Sequence, residues 1–138
     1  MPDSELSDWQ PSYSVGNVLL DDQHKKLLSL ARKALSCMEE QGELGHENFH
    51  DILHELSRYI ELHFATEEAI LRESSYPLLD THIEEHRAYQ LSFTEMLLDA
   101  SMEKVDKVGL SDFLSSWWIE HILCSDKQYA STLRGQHL

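Results

Sequence analysis

The sequence predicts an all-α fold: an antiparallel up-down-up-down four-helix bundle with an N-terminal non-helical arm. Three observations predict it. Apolar residues recur at helical spacing in four successive stretches, and each is long enough for a bundle helix of about 20 residues. Short breaks separate the stretches, and short connections make consecutive helices antiparallel neighbours. No stretch alternates apolar and polar residues with the period of two that marks a half-buried strand. The 138 residues fit one domain, large enough to fold without a disulfide.

Residues 1–17 read as the arm, interrupted by Pro2 and Pro11 and closed by a Gly16-Asn17 turn. Trp9, Tyr13 and Val15 give it apolar residues with which to pack on the body, residues 18–138. The first helix is expected from Asp21 to Gln41, with Asp21 or Asp22 as its cap and Gly42 to Gly45 as its stop. Its apolar stripe is Leu20, Leu27, Leu28, Ala31, Leu35 and Met38. The second is expected from His46 to Glu73, with Phe49, Ile52, Leu53, Leu56, Ile60 and Ile70 in register. Ser74-Ser75-Tyr76-Pro77 ends it, since the residue before proline disfavours helix. The third is expected from Leu78 to Met102, using Leu79, Ile83, Leu91, Phe93, Met96 and Leu97. After a charged break from Glu103 to Gly109, the fourth runs from Leu110 to Leu133.

Composition narrows the function. A net charge of −14 repels phosphate backbones and anionic bilayers, which argues against nucleic acid and membrane surfaces as partners. No apolar run reaches the ~18 residues of a membrane span, and the acidic amino terminus has no signal-peptide pattern. Cys37 and Cys124 form no CxxC or zinc-ribbon spacing, so a reduced, cytoplasmic protein is expected. The nine histidines stand out, because ordinary usage gives about three in a chain of this length.

Those histidines fall into a pattern. His63 and Glu67, four residues apart, share one helix face with Ile60, Leu56, Ile52 and Phe49. A carboxylate on an apolar face needs a partner, since burying it alone is costly. His82 and His86 repeat the spacing on the third helix, and an i, i+4 histidine pair suits iron, copper, zinc or nickel. His121 and Asp126 lie five apart, roughly 140° from each other on an ideal α-helix, so either they straddle a large centre or a π-type bulge draws them together. With His24 near the start of the first helix, the set is five histidines and two carboxylates. That exceeds the four ligands of a tetrahedral zinc and suits two metals sharing carboxylates. Nitrogen-rich ligation without thiolate points to iron, while affinity order alone leaves copper and zinc open.

The segments Asp22-Gln23-His24-Lys25, His63-Phe64-Ala65-Thr66-Glu67-Glu68, Tyr76-Pro77 with His82 and His86, and Trp117-x-x-x-His121-Ile122-x-x-x-Asp126 resemble the hemerythrin family in its bacterial branch. The resemblance runs from about Trp9 to Tyr129 in matching order and spacing, and all seven expected ligand positions are filled. It implies that His82, His86 and His121 complete one iron's shell and that His24 and His63 bind a second iron with a free coordination position. Glu67 and Asp126 would bridge both ions beside an oxo or hydroxo group. Molecular oxygen would bind end-on at the open iron as peroxide, in a pocket walled by Phe64, Trp117 and Ile122. Trp118 departs from the family, which commonly has an aliphatic residue there; the second indole either narrows the pocket or turns outward. Leu71 replaces a frequent methionine. The expected role is oxygen carriage, storage or delivery, because the chain ends soon after the bundle without an output domain. An oxygen or redox sensor, or a di-iron enzyme acting on peroxide or nitric oxide, is the alternative. A monomer or weak homo-oligomer is expected, since no apolar seam is evident.

Other residues are set aside. His46, His50 and His54 form a surface row, with His54 about 180° around the helix from His63. His137 lies in the tail. Glu68 is expected to be solvated or hydrogen-bonded beside a ligand, Cys124 to be a small core residue, and Tyr59 and Tyr89 to serve packing.

Overall fold

A computed structural model of the chain describes residues 9–37, 43–101 and 107–135. Its regular elements are all helical: a single 3-10 turn (Pro11–Tyr13), then α1 (Val18–Cys37), α2 (Glu43–Glu73) and α3 (Leu79–Ser101). A fourth rod is made by α4 (Lys107–Ser116), a π-helical stretch (Trp117–Asp126) and α5 (Lys127–Gly135), which follow one another without a break. The four rods pack as an antiparallel bundle, as the sequence predicts. Met38, Gln41, Met102 and His137, on which parts of the sequence reading rest, lie outside the described residues, as does the side chain of His46.

The arm differs from expectation in one respect: Pro11, whose fixed φ suits a first helical position, opens the 3-10 turn, so the arm is not wholly non-helical. Trp9 and Tyr13 meet edge to face at 6.2 Å and pack against the core. Val15 is completely buried. Lys127 clamps the arm by donating from Nζ to the carbonyl oxygens of Ser12 (3.0 Å) and Ser14 (2.9 Å).

Helix α1 begins earlier than expected and with another cap. Gly16 takes φ 82°, and the Asn17 side chain accepts the Leu20 N–H at 3.0 Å, satisfying one of the orphan donors of the first turn. Asp21, expected as a cap, instead reaches back to accept the Val15 N–H (2.9 Å) and the Ser14 hydroxyl. The arm is thus tied to the same turn that starts the helix. Helix α2 starts at Glu43, inside the segment read as a break, because one glycine, Gly45, is tolerated within a long helix.

The end of α2 is a Schellman motif. The Tyr76 N–H donates to the Leu71 carbonyl (3.0 Å), the Ser75 N–H donates to that of Arg72 (3.1 Å), and Ser75 is left-handed at φ 56°. Tyr76 and Leu71 are both buried in one apolar cluster, the contact that accompanies this cap. The cost of the left-handed conformation for a residue with a Cβ predicts that Ser75→Gly stabilises the chain by about 0.5–1 kcal/mol, read from urea unfolding.

The core is two apolar clusters with a polar layer between them. The larger gathers Leu27 to Cys37 of α1, Phe49 to Phe64 of α2, Phe93 and Ala100 of α3, and Leu110 to Ile122 of the fourth rod. The smaller joins Val15, Leu20, Leu71, Tyr76, Tyr129, Ala130 and Leu133. Along each rod the buried histidines and carboxylates lie where one cluster gives way to the other. Helix α3 contributes least apolar surface, because its inward stripe is His82, His86, Phe93 and Ala100. Leu91, expected in the core, stands five residues beyond His86 and so faces solvent, 63 % exposed. Among the described residues, no helix is long and apolar enough to cross a membrane.

Candidate metal centre

Seven polar side chains make up the layer: His24 from α1, His63 and Glu67 from α2, His82 and His86 from α3, and His121 and Asp126 from the π-helical stretch. None is more than 3 % exposed, so none of them lies on a solvated helix face. The π-helical stretch explains the spacing of the last pair. Its i→i+5 bonding sets residues five apart on one face, so His121 and Asp126 point into the bundle together. The same turn carries Cys124, three residues from one and two from the other, to the outside. The expectation that Cys124 is a core residue is therefore corrected: it is exposed.

The two carboxylates each face two ways. Glu67 Oε1 lies 2.7 Å from His82 Nε2, 2.9 Å from His86 Nε2 and 3.9 Å from His121 Nε2. Its other oxygen, Oε2, lies 3.5 Å from His24 Nε2 and 3.4 Å from His63 Nε2. Asp126 repeats the division: Oδ1 is 2.9 Å from His82 Nε2 and 3.2 Å from His121 Nε2, whereas Oδ2 is 3.1 Å from His24 Nε2. Two overlapping groups result, one of three histidines and one of two, with Glu67 and Asp126 common to both. Within each group the donor atoms lie within 4.8 Å of one another.

These atoms converge without satisfying each other. The Nε2 atoms of His24, His63 and His121 and both oxygens of Asp126 are buried without a hydrogen-bond partner. Buried polar atoms are rarely left so, and a shared cation is the simplest group that would satisfy them all at once. The outer ring nitrogens are held from behind. His63 Nδ1 is 2.7 Å from Gln23 Oε1, His86 Nδ1 is 2.7 Å from Glu68 Oε2, and His121 Nδ1 is 3.5 Å from Glu85 Oε1. Acceptors at those positions fix the Nδ1–H tautomer and leave the Nε2 lone pair turned inward, as a metal requires.

The carboxylates and imidazoles of the cluster shift one another's protonation. Burial opposes a proton on His24, but the Asp126 and Glu67 carboxylates outweigh it and raise its pKa to about 9. The same contest raises His82 to about 10. Burial wins at His63, which falls below the ordinary histidine value. Burial would push Glu67 up, yet its electrostatic interaction with the adjacent His63 and hydrogen bonds from the surrounding imidazoles hold it well below the usual carboxylate range. Asp126 is lowered too, with burial and the Glu67 charge opposing and His121, His24 and His82 prevailing.

Beside the layer, the aromatic ring of Phe64 stacks on His86 at 3.7 Å and 4° and meets Trp117 at 6.4 Å. Phe64, Trp117 and Ile122 are all buried. The side chain of Trp118 lies outside the described residues. His54 is exposed, and Tyr59 and Tyr89 pack half-buried against the core.

Sequence reasoning missed three residues. Tyr129 donates its hydroxyl to Glu67 Oε2 at 2.7 Å while fully buried, and burial together with the nearby carboxylates pushes its phenol well above its ordinary value. Gln23 and Glu85 hold ring nitrogens of His63 and His121. The signal for Tyr129 was available: it stands three residues after Asp126, one turn along the same face.

Fold and layer together define a non-haem, metal-binding helical bundle. The profile of the Hemerythrin HHE cation binding domain matches residues 15–133. A bacteriohemerythrin of Clostridium acetobutylicum is 31 % identical over 125 residues, spanning 88 % of this chain and 96 % of that one. A bacteriohemerythrin of Campylobacter jejuni is 39 % identical over 85 residues, 62 % of each chain. A crystal structure of wild-type hemerythrin, 22 % identical, superposes with a TM-score of 0.82 over 93 % of this chain and 98 % of its own, a likeness of fold. The chain belongs to the hemerythrin family, and its buried histidine and carboxylate cluster fits a di-iron site of that type.

Proposed function

We propose that this protein is an oxygen-binding non-haem di-iron protein, a carrier, store or delivery vehicle for molecular oxygen. The observation that carries the reading is the division of each carboxylate between a three-histidine and a two-histidine group. On this reading His82, His86 and His121 hold one iron, and His24 and His63 hold the other, which keeps an open position. Glu67 and Asp126, common to both groups of donors, would be shared between the two, beside an oxo or hydroxo group. A bound iron pair would supply the redox chemistry that reversible dioxygen binding needs.

The chain's own residues supply the rest. Five imidazoles against two carboxylates make a softer, less anionic set than the carboxylate-rich di-iron cages built on Glu-x-x-His motifs, and that favours reversible binding over strong oxidation. Phe64, Trp117 and Ile122 form the dry wall of the oxygen pocket, where excluding water limits proton leakage to the bound ligand. The working unit is the bundle of residues 18–138 with the arm of residues 1–17 packed on it, acting in the cytoplasm as a monomer or weak homo-oligomer.

Oxygen uptake tests this. The reduced, iron-loaded protein is expected to take up one dioxygen per two irons in an oxygen-electrode measurement and then stop. Uptake that continues with turnover would mark an enzyme, and no uptake would contradict oxygen binding.

A further inference from the structure

The two halves of the cluster are supported unequally. In the three-histidine half, His86 and His121 are backed by carboxylates: Glu68 at 2.7 Å, and Glu85 at 3.5 Å with Ser125 Oγ donating to the same Glu85 oxygen at 2.8 Å. In the two-histidine half, His63 is backed by a neutral amide, Gln23 Oε1 at 2.7 Å. His24 Nδ1 is buried with no hydrogen-bond partner. The shared carboxylate is biased in the same sense, because Tyr129 donates to Glu67 Oε2, the oxygen that faces His24 and His63.

Each difference acts on donor strength. A carboxylate accepting from Nδ1–H pushes electron density toward Nε2 and makes the imidazole a stronger base, whereas an amide does so weakly. A phenol hydrogen bond withdraws density from the oxygen that accepts it. The half with three imidazoles thus has the stronger donors, and the half with two has the weaker ones.

Resting on the two-metal reading above, we propose that the centre fills in order. The position held by His82, His86 and His121 binds its metal first and more tightly, and the His24–His63 position fills second, about 10–100-fold more weakly. Gln23, Glu68 and Glu85 are positioning residues that set this gap. The weaker position is the one with the open coordination site, so the oxygen-binding half is also the half that empties first.

The test is an anaerobic titration of the metal-free, full-length protein with cobalt(II), followed by its visible absorption. Two resolved steps of one equivalent each are expected. Glu68→Gln and Glu85→Gln, both at partly exposed positions, should weaken the first step about tenfold and leave the second unchanged. Gln23→Glu should strengthen the second step and narrow the gap. Circular dichroism confirms that each variant is folded. Two equivalents bound in a single step of equal affinity would overturn the order, as would Glu68→Gln or Glu85→Gln weakening the second step alone. Saturation at one equivalent or none would overturn the two-metal reading itself.

Discussion

Glu67→Gln is expected to lower bound iron from two ions per chain to fewer than one, with affinity reduced ~100-fold or more, beyond what loss of a residue behind a ligand would cause. The substitution keeps volume and removes only charge. Its effect is large because Glu67 belongs to both groups of donors and faces four of the five histidines at 3.5 Å or less. It also has a cost without metal. The protons on His24 and His82 are held in part by this carboxylate, and breaking a buried charge pair from one side costs about 3–5 kcal/mol. Iron content and urea unfolding of the metal-free variant separate the two effects. A variant that still holds two irons would contradict the bridging role.

Metal loading at pH 7 is expected to release about two protons per chain, and the metal-free protein is expected to lose stability as pH rises toward 10. His24 and His82 have folded values of about 9 and about 10 against 6.5 when unfolded. The stability they contribute is complete below 6.5 and disappears as pH rises through 9 and 10. Glu67 and Asp126, held below 4.5 and 3.8, contribute above those values and lose that contribution as pH falls through their depressed ones. His63, lowered by burial, subtracts a little as pH falls below 6.5. A melting temperature lower at pH 10 than at pH 7 by on the order of 10 °C is expected for the metal-free form. The iron-loaded form, whose imidazoles are held by metal in place of protons, should change less. Loading in a weakly buffered solution with a pH indicator counts the protons. Release of none would mean that the two imidazoles are neutral before iron arrives.

The parts of this protein legible in its sequence are those written in periodicity and residue type. Four helices follow from apolar spacing, and the inward histidines announce themselves because His63 and Glu67 share a face with Phe49, Leu56 and Ile60. The i, i+5 spacing of His121 and Asp126 even carried the π-helical stretch as one of two readings. What was illegible depends on three-dimensional neighbours. Asn17 caps α1 in place of Asp21 because the Gly16 turn presents it to the Leu20 N–H. Cys124 faces out because the π-helical stretch, not an α-helix, sets its direction. Leu91 is exposed because histidines occupy the inward stripe of α3. Gln23 and Glu85 stand on one helix and act on side chains of another, a relation that no spacing along the chain encodes, whereas Tyr129 could be placed on the inward face by its distance from Asp126 but not paired with Glu67.

The most direct measurement is the visible spectrum of the reduced, iron-loaded protein before air is admitted, after it, and again once oxygen is removed. A charge-transfer band that appears with air and fades on deoxygenation is the predicted result, since a water-excluding wall and a histidine-rich cluster favour return to the starting state. Direct conversion to a stable oxidised spectrum that never reverts would contradict oxygen carriage and point to a redox sensor or a di-iron enzyme.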